Sequence, residues 1–139
     1  MIRHSQPPRE FPRERMSRIL IVEDDRGVGD LFSRALSSRG YDVLVATTAE
    51  TALNEVDQFQ PDAILLDLRM PALSGLEFLR RMRTLERASL TPVAVITGDI
   101  VFVHANRQQL RELNADVYYK PVRLKDLLGI TRSLLQKPS

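Results

Sequence analysis

The chain has 139 residues, of which 43% are hydrophobic and 27% charged, a composition typical of one globular domain with its own core. It contains no cysteine, which excludes disulfide bonds, thiolate chemistry and cysteine-ligated zinc. No apolar run approaches the roughly 20 residues of a membrane-spanning helix, and the N-terminus lacks the apolar segment of a secretory signal. We therefore expect a cytoplasmic protein without membrane contact.

The positive charge of the chain is concentrated at its N-terminus. Residues 1–18 contain five Arg and two Glu, a net charge of +3, whereas the remainder carries 15 basic and 16 acidic residues, a net charge of −1. This N-terminal stretch is interrupted by prolines and has no periodic apolar face. The sequence predicts a disordered basic arm over residues 1–16, followed by a single domain over residues 17–137. Such an arm can attract nucleic acid or acidic surfaces, but a solvated tail is the simpler interpretation.

Beyond the arm, apolar strands alternate with amphipathic helices. The predicted strands cover residues 19–22, 41–46, 62–66, 92–96 and 116–119. A helical pattern of apolar residues follows each strand, and the last helix extends over about residues 124–136. Five successive strand–helix units predict a parallel sheet with helices on both faces. Ligands of such folds bind beyond the carboxyl ends of the strands.

Polar residues stand at those carboxyl ends. They are Glu23, Asp24 and Asp25 after the first strand, Asp67 after the third, Thr97 at the end of the fourth and Lys120 after the fifth. Carboxylates held together bind a cation or shift their pKa values, and oxygen ligands in a water-accessible site suit Mg²⁺. A hydroxyl and an ammonium beside a metal suit a tetrahedral anion. Because no His, Cys or Ser stands there, Asp67 is the expected nucleophile and would form an aspartyl phosphate.

Two competing interpretations of these motifs are weaker. The Gly27-Val28-Gly29 stretch suggests a dinucleotide-binding loop, but position 32 is Phe instead of a third Gly, and the acidic cluster would repel a pyrophosphate. A haloacid-dehalogenase-type phosphotransferase also uses a strand-end aspartate, but it needs a second aspartate where this chain has Arg69. Each strand-end residue taken alone has a structural explanation, whereas the combination favours phosphoryl chemistry.

The segments RILIVEDD, LLDLRMP, SGLEFLR, VITG and YYKP, in this order and spacing, resemble the receiver domain of two-component response regulators, of the stand-alone single-domain type. The resemblance extends over about residues 17–136. It implies a flavodoxin-like, doubly wound five-stranded parallel sheet with strand order 2-1-3-4-5. It also implies that Asp67 accepts a phosphoryl group from a sensor histidine kinase or a histidine phosphotransfer protein.

The resemblance assigns a role to each strand-end residue. Mg²⁺ would be held by Asp67, by Asp24, by Glu23 through a water molecule and by the backbone carbonyl of Arg69, while Thr97 and Lys120 would contact the phosphoryl oxygens. Asp25 lies one position beyond the usual acidic pair, and we expect it to cap the first helix.

The sequence therefore predicts a phosphoryl-accepting signalling switch with at most slow self-dephosphorylation, and not an enzyme in the ordinary sense. The alternative is an interaction module that keeps the fold but works without phosphorylation. Because the chain ends soon after the last helix, we expect no output domain and no direct DNA binding. The expected partners are the kinase or phosphotransfer protein and a downstream target protein.

The chain departs from the receiver pattern beside the predicted site. Val117 stands where receivers usually carry an aromatic residue that reports the phosphorylation state. Either this valine fills the space of the aromatic ring, or a local shift brings Tyr118 into the role of that residue. The apolar run at residues 100–103 is also unusual, and we expect about half of it to be buried. The rest is expected to contribute to a partner or homodimer face within residues 100–136.

Two charged residues are expected at the mouth of the site. Arg69 follows the acceptor by two positions, and Asp99 follows Thr97 by two. A guanidinium pairs well with a carboxylate. If the two pair across the mouth, they would exclude water from the aspartyl phosphate and lengthen its lifetime.

Overall fold

The computed structural model of the chain describes residues 2–4, 16–70 and 72–137. The strands are β1 Ile2–His4, β2 Arg18–Val22, β3 Asp42–Ala46, β4 Ala63–Leu66, β5 Val93–Thr97 and β6 Ala115–Tyr119. The helices are α1 Arg26–Ser37, α2 Ala49–Phe59, α3 Gly75–Arg83, α4 Ile100–Ala105, α5 Arg107–Glu112 and α6 Leu124–Leu135. Across these ranges, none of the helices combines the length and the apolar character needed to cross a bilayer.

Five parallel strands form the sheet that the sequence predicts. Their spatial order is β3-β2-β4-β5-β6, which is 2-1-3-4-5 when β2 is counted as the first parallel strand. Successive residues of a strand point to opposite faces. Leu20 of β2 accordingly packs with α2 and α3, whereas its neighbour Ile19 packs with α1 and α6. The flavodoxin-like architecture with helices on both faces is confirmed.

The N-terminus adds a strand that the sequence does not predict. Ile2–His4, within the arm that is predicted to be disordered, pair antiparallel with Val43–Val45 of β3. The physical reason is that β3 would otherwise present an edge of unpaired backbone groups. The rest of the predicted arm, residues 1 and 5–15, lies outside the described residues.

The apolar run after β5 forms a short helix of its own. This helix is α4, and Asn106 separates it from α5. The Asn106 side-chain amide donates to the Phe102 carbonyl oxygen at 2.9 Å. Val103 is buried and Phe102 is partly buried, whereas Ile100 and Val101 are 53% and 81% exposed. The prediction that about half of this run is buried is therefore confirmed.

Arg83, the last residue of α3, joins two connections of the fold, the one from α3 to β5 and the one from α5 to β6. Its guanidinium donates to five backbone carbonyl oxygens: Leu113 at 2.8 Å, Thr91 at 2.6 Å, Ala88 at 3.2 Å, Ser89 at 3.4 Å and Asn114 at 3.4 Å. Burial lowers the pKa of Arg83 from its ordinary value. The planar five-donor group is suited to satisfy several carbonyls that an apolar side chain would leave without a partner.

Replacing Arg83 with methionine is expected to lower the free energy of unfolding by about 2–3 kcal/mol, because buried carbonyls lose their donor. Urea titration of the variant measures this change. Arg81→Met provides the matched control, since Arg81 is exposed and pairs with Glu77 on the helix surface. Its expected cost is within about 0.5 kcal/mol. Equal midpoints for the two variants would contradict the proposed role of Arg83.

Candidate functional site

The site lies where the parallel strands end. Asp67 follows β4 directly, and its backbone N–H donates to the Val22 carbonyl oxygen of β2 at 3.0 Å. Lys120 follows β6, and its backbone N–H donates to the Thr97 carbonyl oxygen of β5 at 2.9 Å. These bonds continue the strand pairing by one residue, so the side chains of Asp67 and Lys120 are held at one edge of the sheet.

A lysine bridges two buried carboxylates at this edge. The Lys120 ammonium lies 2.6 Å from Glu23 Oε1 and 3.1 Å from Asp67 Oδ2. Glu23 and Asp67 are only 3% and 8% exposed. Burial, with the nearby charge of Asp67, raises the pKa of Glu23 to about 7 even though Lys120 opposes the shift. Burial alone would lower the pKa of Lys120, but its bonds to the two carboxylates outweigh it and raise that pKa.

Three carboxylates are close enough to share a cation. Glu23, Asp24 and Asp67 can each offer an oxygen, and these oxygens lie within 4.8 Å of one another. Asp24 is exposed, so the cluster opens to water on one side. Burial, and to a smaller extent the charge of Asp67, raises the pKa of Glu23 although Lys120 opposes the shift, so the lysine alone does not offset the cost of keeping this carboxylate charged. The cluster therefore fits a hard divalent cation that takes oxygen ligands and retains water.

An open cleft of about 690 Å³ surrounds the cluster. It is lined by Glu23, Asp24, Asp25, Asp67, Leu68, Arg69, Met70, Phe102 and Lys120. The structure thus brings together the predicted residues except Thr97, which is fully buried at the end of β5. The Thr97 hydroxyl accepts a hydrogen bond from the Asp99 backbone N–H at 3.2 Å. It would need to reorient to contact a ligand in the cleft.

The flanking carboxylates have structural roles. Asp25 accepts a hydrogen bond from the Val28 backbone N–H at 3.1 Å, which confirms its prediction as the N-cap of α1. Asp99 caps α4 in the same way and also lies 3.8 Å from Arg69 Nε. The expected pair across the mouth is therefore present. Because the Arg69 side chain is 74% exposed, the pair contributes only about 0–1 kcal/mol.

Val117 fills the position where an aromatic residue is usual in receivers. It packs against the core cluster that contains Val103, on the side of the sheet covered by α2 and α3. Tyr118 packs against the opposite cluster, so the alternative in which this tyrosine takes the role is wrong. Tyr119 returns to the first side and is 39% exposed. Strand alternation explains this arrangement.

Gly75 is a supporting residue that was not among the predicted site residues. A Cβ atom at this position would lie 2.5 Å from the carbonyl oxygen of Asp67 and 2.7 Å from Leu68 Cα. Its backbone N–H donates to the Leu68 carbonyl oxygen at 3.1 Å. The start of α3 therefore packs directly against the backbone that carries Asp67. A glycine immediately after the helix-capping Ser74 was the available sequence signal.

The sequence profile of the response regulator receiver domain matches residues 19–132. The chain belongs to this receiver family. The response regulator MprA of Mycobacterium sp. strain KMS is 39% identical over 124 residues, covering 88% of the receiver and 52% of the relative. MprA of Mycolicibacterium vanbaalenii is 38% identical over 122 residues, covering 86% and 51%. The receiver thus spans about half the length of the curated relatives it matches.

Solved structures show the same fold. Chemotaxis protein CheY4 of Vibrio cholerae superposes with a TM-score of 0.80 at 26% identity, covering 86% of the receiver and 99% of that chain. A CheY-like receiver protein of Methanospirillum hungatei gives 0.79 at 30% identity, covering 86% and 94%. The receiver domain of sensor kinase PA1611 of Pseudomonas aeruginosa gives 0.77 at 25%, covering 88% and 99%, and has a magnesium ion coordinated in its active site cleft.

Proposed function

We propose that this receiver is a phosphoryl-accepting switch of a two-component or phosphorelay system, with Asp67 as the acceptor and residues 17–137 as the receiver domain. The observation that carries the proposal is the arrangement around Asp67. Its carboxylate is held at a strand end, 3.1 Å from the Lys120 ammonium and beside two further carboxylates that can share a cation. A nucleophile, a positive group for a phosphoryl oxygen and a cation site are thus combined.

The transfer step uses residues already in place. An Asp67 carboxylate oxygen attacks the phosphorus of a phosphohistidine, the N–P bond breaks, and its electron pair returns to the imidazole, which then takes up a proton. Lys120 moves from Asp67 Oδ2 onto a phosphoryl oxygen, and the Thr97 hydroxyl turns toward another. Mg²⁺ would offset the negative charge between the phosphoryl group and the carboxylates. Its proposed ligands are Asp67, Asp24, Glu23 through water and the carbonyl oxygen of Arg69.

The proposed donor is a sensor histidine kinase or a histidine phosphotransfer protein, which would place the encounter in the cytoplasm. The downstream target is proposed to bind the face formed by α4, α5, β6 and α6. There the apolar side chains of Ile100, Val101, Tyr119 and Leu124 are 53%, 81%, 39% and 40% exposed and could contact a partner. A homodimer through residues 100–136 would use the same face. The phosphoryl form is expected to hydrolyse only slowly, so the protein acts as a phosphoacceptor and not as an enzyme.

Incubation with acetyl phosphate and Mg²⁺ tests the proposal. Intact-mass measurement should show the gain of one phosphoryl group in the native protein and none in Asp67→Asn. Asp126→Asn is the matched control, because Asp126 is an exposed carboxylate on α6 away from the site, and it should be phosphorylated like the native protein. Absence of any gain in the native protein would instead favour the phosphorylation-independent interaction module.

Breaking the pair at the mouth of the site is expected to shorten the lifetime of the phosphoryl form. Arg69→Ala should accelerate dephosphorylation by up to about fivefold, the equivalent of about 1 kcal/mol in the barrier. Asp99→Asn should have a similar effect, and it retains a side-chain oxygen to cap α4. Loss of label from purified phosphoprotein gives the rates. If both variants decay at the native rate, Arg69 and Asp99 do not limit access of water.

A further inference from the structure

A second cleft lies away from the Asp67 site, on the side of the sheet that α1 and α6 cover. It has a volume of about 360 Å³ and lies between the end of α1 and the side of α6. It is lined by Arg39, Tyr41, Lys125, Leu128 and Arg132, none of which lines the Asp67 cleft. Lys125, Leu128 and Arg132 stand at positions i, i+3 and i+7 of α6, so this helix presents all three toward one side.

The charge around this second cleft is uncompensated. Among the described residues, Arg39, Lys125 and Arg132 have no ion-pair partner, and no carboxylate lines the cleft. By contrast, Arg34 of α1, the helix that ends just before Arg39, does have an ion-pair partner, because it pairs with Asp30 at 3.0 Å. Three cations around one concave site repel each other, and a bound anion removes that repulsion. Arg39, Lys125 and Arg132 are exposed, so water weakens their mutual repulsion, but the charge of the cleft still favours an anion over a cation.

A larger cavity at the opposite end of the strands does not have this property. Its volume is about 930 Å³, but Asp62 and Glu86 line it together with Arg87 and Lys137. Because both signs of charge are present, that cavity selects neither anions nor cations. Charge of a single sign thus distinguishes the smaller cleft from this larger cavity.

The second cleft also has an apolar side. Tyr41 and Leu128 are both partly buried and pack against the core cluster shared by α1 and α6. The core holds their side chains while part of each remains available in the cleft. An aromatic side chain in this situation is suited to stack on a nucleobase, whereas arginine guanidinium groups bind phosphate oxygens in pairs.

We propose that this cleft binds a nucleotide. Arg39, Lys125 and Arg132 would hold the phosphate, and Tyr41 with Leu128 would contact the base. The volume lies within the range of roughly 300–1,000 Å³ that is usual for small-molecule sites. The site is independent of Asp67 and of the cation cluster, so nucleotide binding would be a second input to the receiver.

Isothermal titration calorimetry with AMP, ribose 5-phosphate and adenosine tests the proposal. The titrations use Asp67→Asn protein in EDTA, so that the phosphoryl site and any metal make no contribution. We expect saturable binding of AMP with one site, binding of ribose 5-phosphate about tenfold weaker because the base is missing, and none detectable for adenosine. Equal affinity for AMP and ribose 5-phosphate would overturn the assignment to a nucleotide, and absence of AMP binding would overturn the site.

Matched variants locate the binding. Arg39→Gln and Arg132→Gln should each weaken AMP binding by about tenfold or more, because each removes a charge-assisted bond to phosphate. Tyr41→Phe keeps the ring and should bind like the parent, whereas Tyr41→Leu should bind about tenfold more weakly. Arg111→Gln removes an exposed arginine from α5, on the opposite face of the sheet, and should have no effect. Native-like affinity in both arginine variants of the cleft would refute the proposal.

Discussion

Gly75→Ala is expected to be destabilising and to impair phosphorylation together. The added methyl group would lie 2.5 Å from the carbonyl oxygen of Asp67 and 2.7 Å from Leu68 Cα, so backbone must move. Overpacking against backbone costs about 3 kcal/mol of unfolding free energy. Because the displaced segment carries the proposed acceptor Asp67, the rate of phosphorylation by acetyl phosphate should fall on the order of a hundredfold, as expected for a misplaced reacting group.

Gly129→Ala in α6 is the control for this substitution. No atom lies within 4 Å of a Cβ built at Gly129, so the methyl group meets open space. Alanine should then stabilise the helix by up to about 1 kcal/mol and leave phosphorylation unchanged. Chemical denaturation and the time course of mass gain measure the two properties. If Gly75→Ala behaves like Gly129→Ala in both, the close packing of α3 against Asp67 has no functional consequence.

The metal-free protein is expected to lose stability as the pH rises from about 5 to 8. The pKa of Glu23 is 4.5 in its ordinary state and about 7 in the fold. Between these values the folded chain binds more protons than the unfolded chain, so raising the pH favours unfolding. The expected loss is up to about 3 kcal/mol, since one pKa unit corresponds to about 1.4 kcal/mol. Lys120 titrates well above this window and does not reverse the sign.

Thermal unfolding in EDTA across this pH range measures the effect. Glu23→Gln should make the unfolding temperature less dependent on pH. At pH 8 this variant should be more stable than the native protein, because the buried charge is removed while the amide oxygen of the new side chain can still accept a hydrogen bond from Lys120. Glu112→Gln, which changes an exposed glutamate on α5, should leave the native slope intact. Mg²⁺ should stabilise the native protein most at high pH, where Glu23 is ionised. If the stability of the native protein in EDTA does not change across this pH range, the fold does not raise the pKa of Glu23.

The parallel sheet could be predicted from sequence because its strands are continuous apolar runs. β3, β4 and β5 are buried on both faces, and such runs indicate central strands regardless of their neighbours. β1 could not be predicted in this way. Its three residues have no apolar pattern of their own, and the strand forms because the edge of β3 offers backbone partners that only the folded sheet supplies.

The candidate site likewise has features that the sequence predicts and features that it does not. Asp67, Glu23 and Lys120 follow predicted strands, so their convergence required only the strand order. The burial of Thr97 and the contact of Gly75 with the Asp67 backbone depend on how the loops close over the sheet, which local sequence does not determine. The apolar run of α4 was identified as unusual, but its helical form depends on the caps provided by Asp99 and Asn106.

The pairing of β1 leaves the two borders of the sheet unequal. On one side the sheet ends in the three residues of β1, whereas on the other it ends in the five residues of β6. A partner can bind by β-augmentation, in which an extended segment pairs with a border strand through main-chain hydrogen bonds. The number of these bonds depends on the length of the border strand. The longer template is β6, and Lys120 follows it directly. An extended peptide docked there would lie beside Lys120, which contacts Asp67. If Asp67 is the acceptor, as we propose, the affinity of such a peptide would depend on phosphorylation.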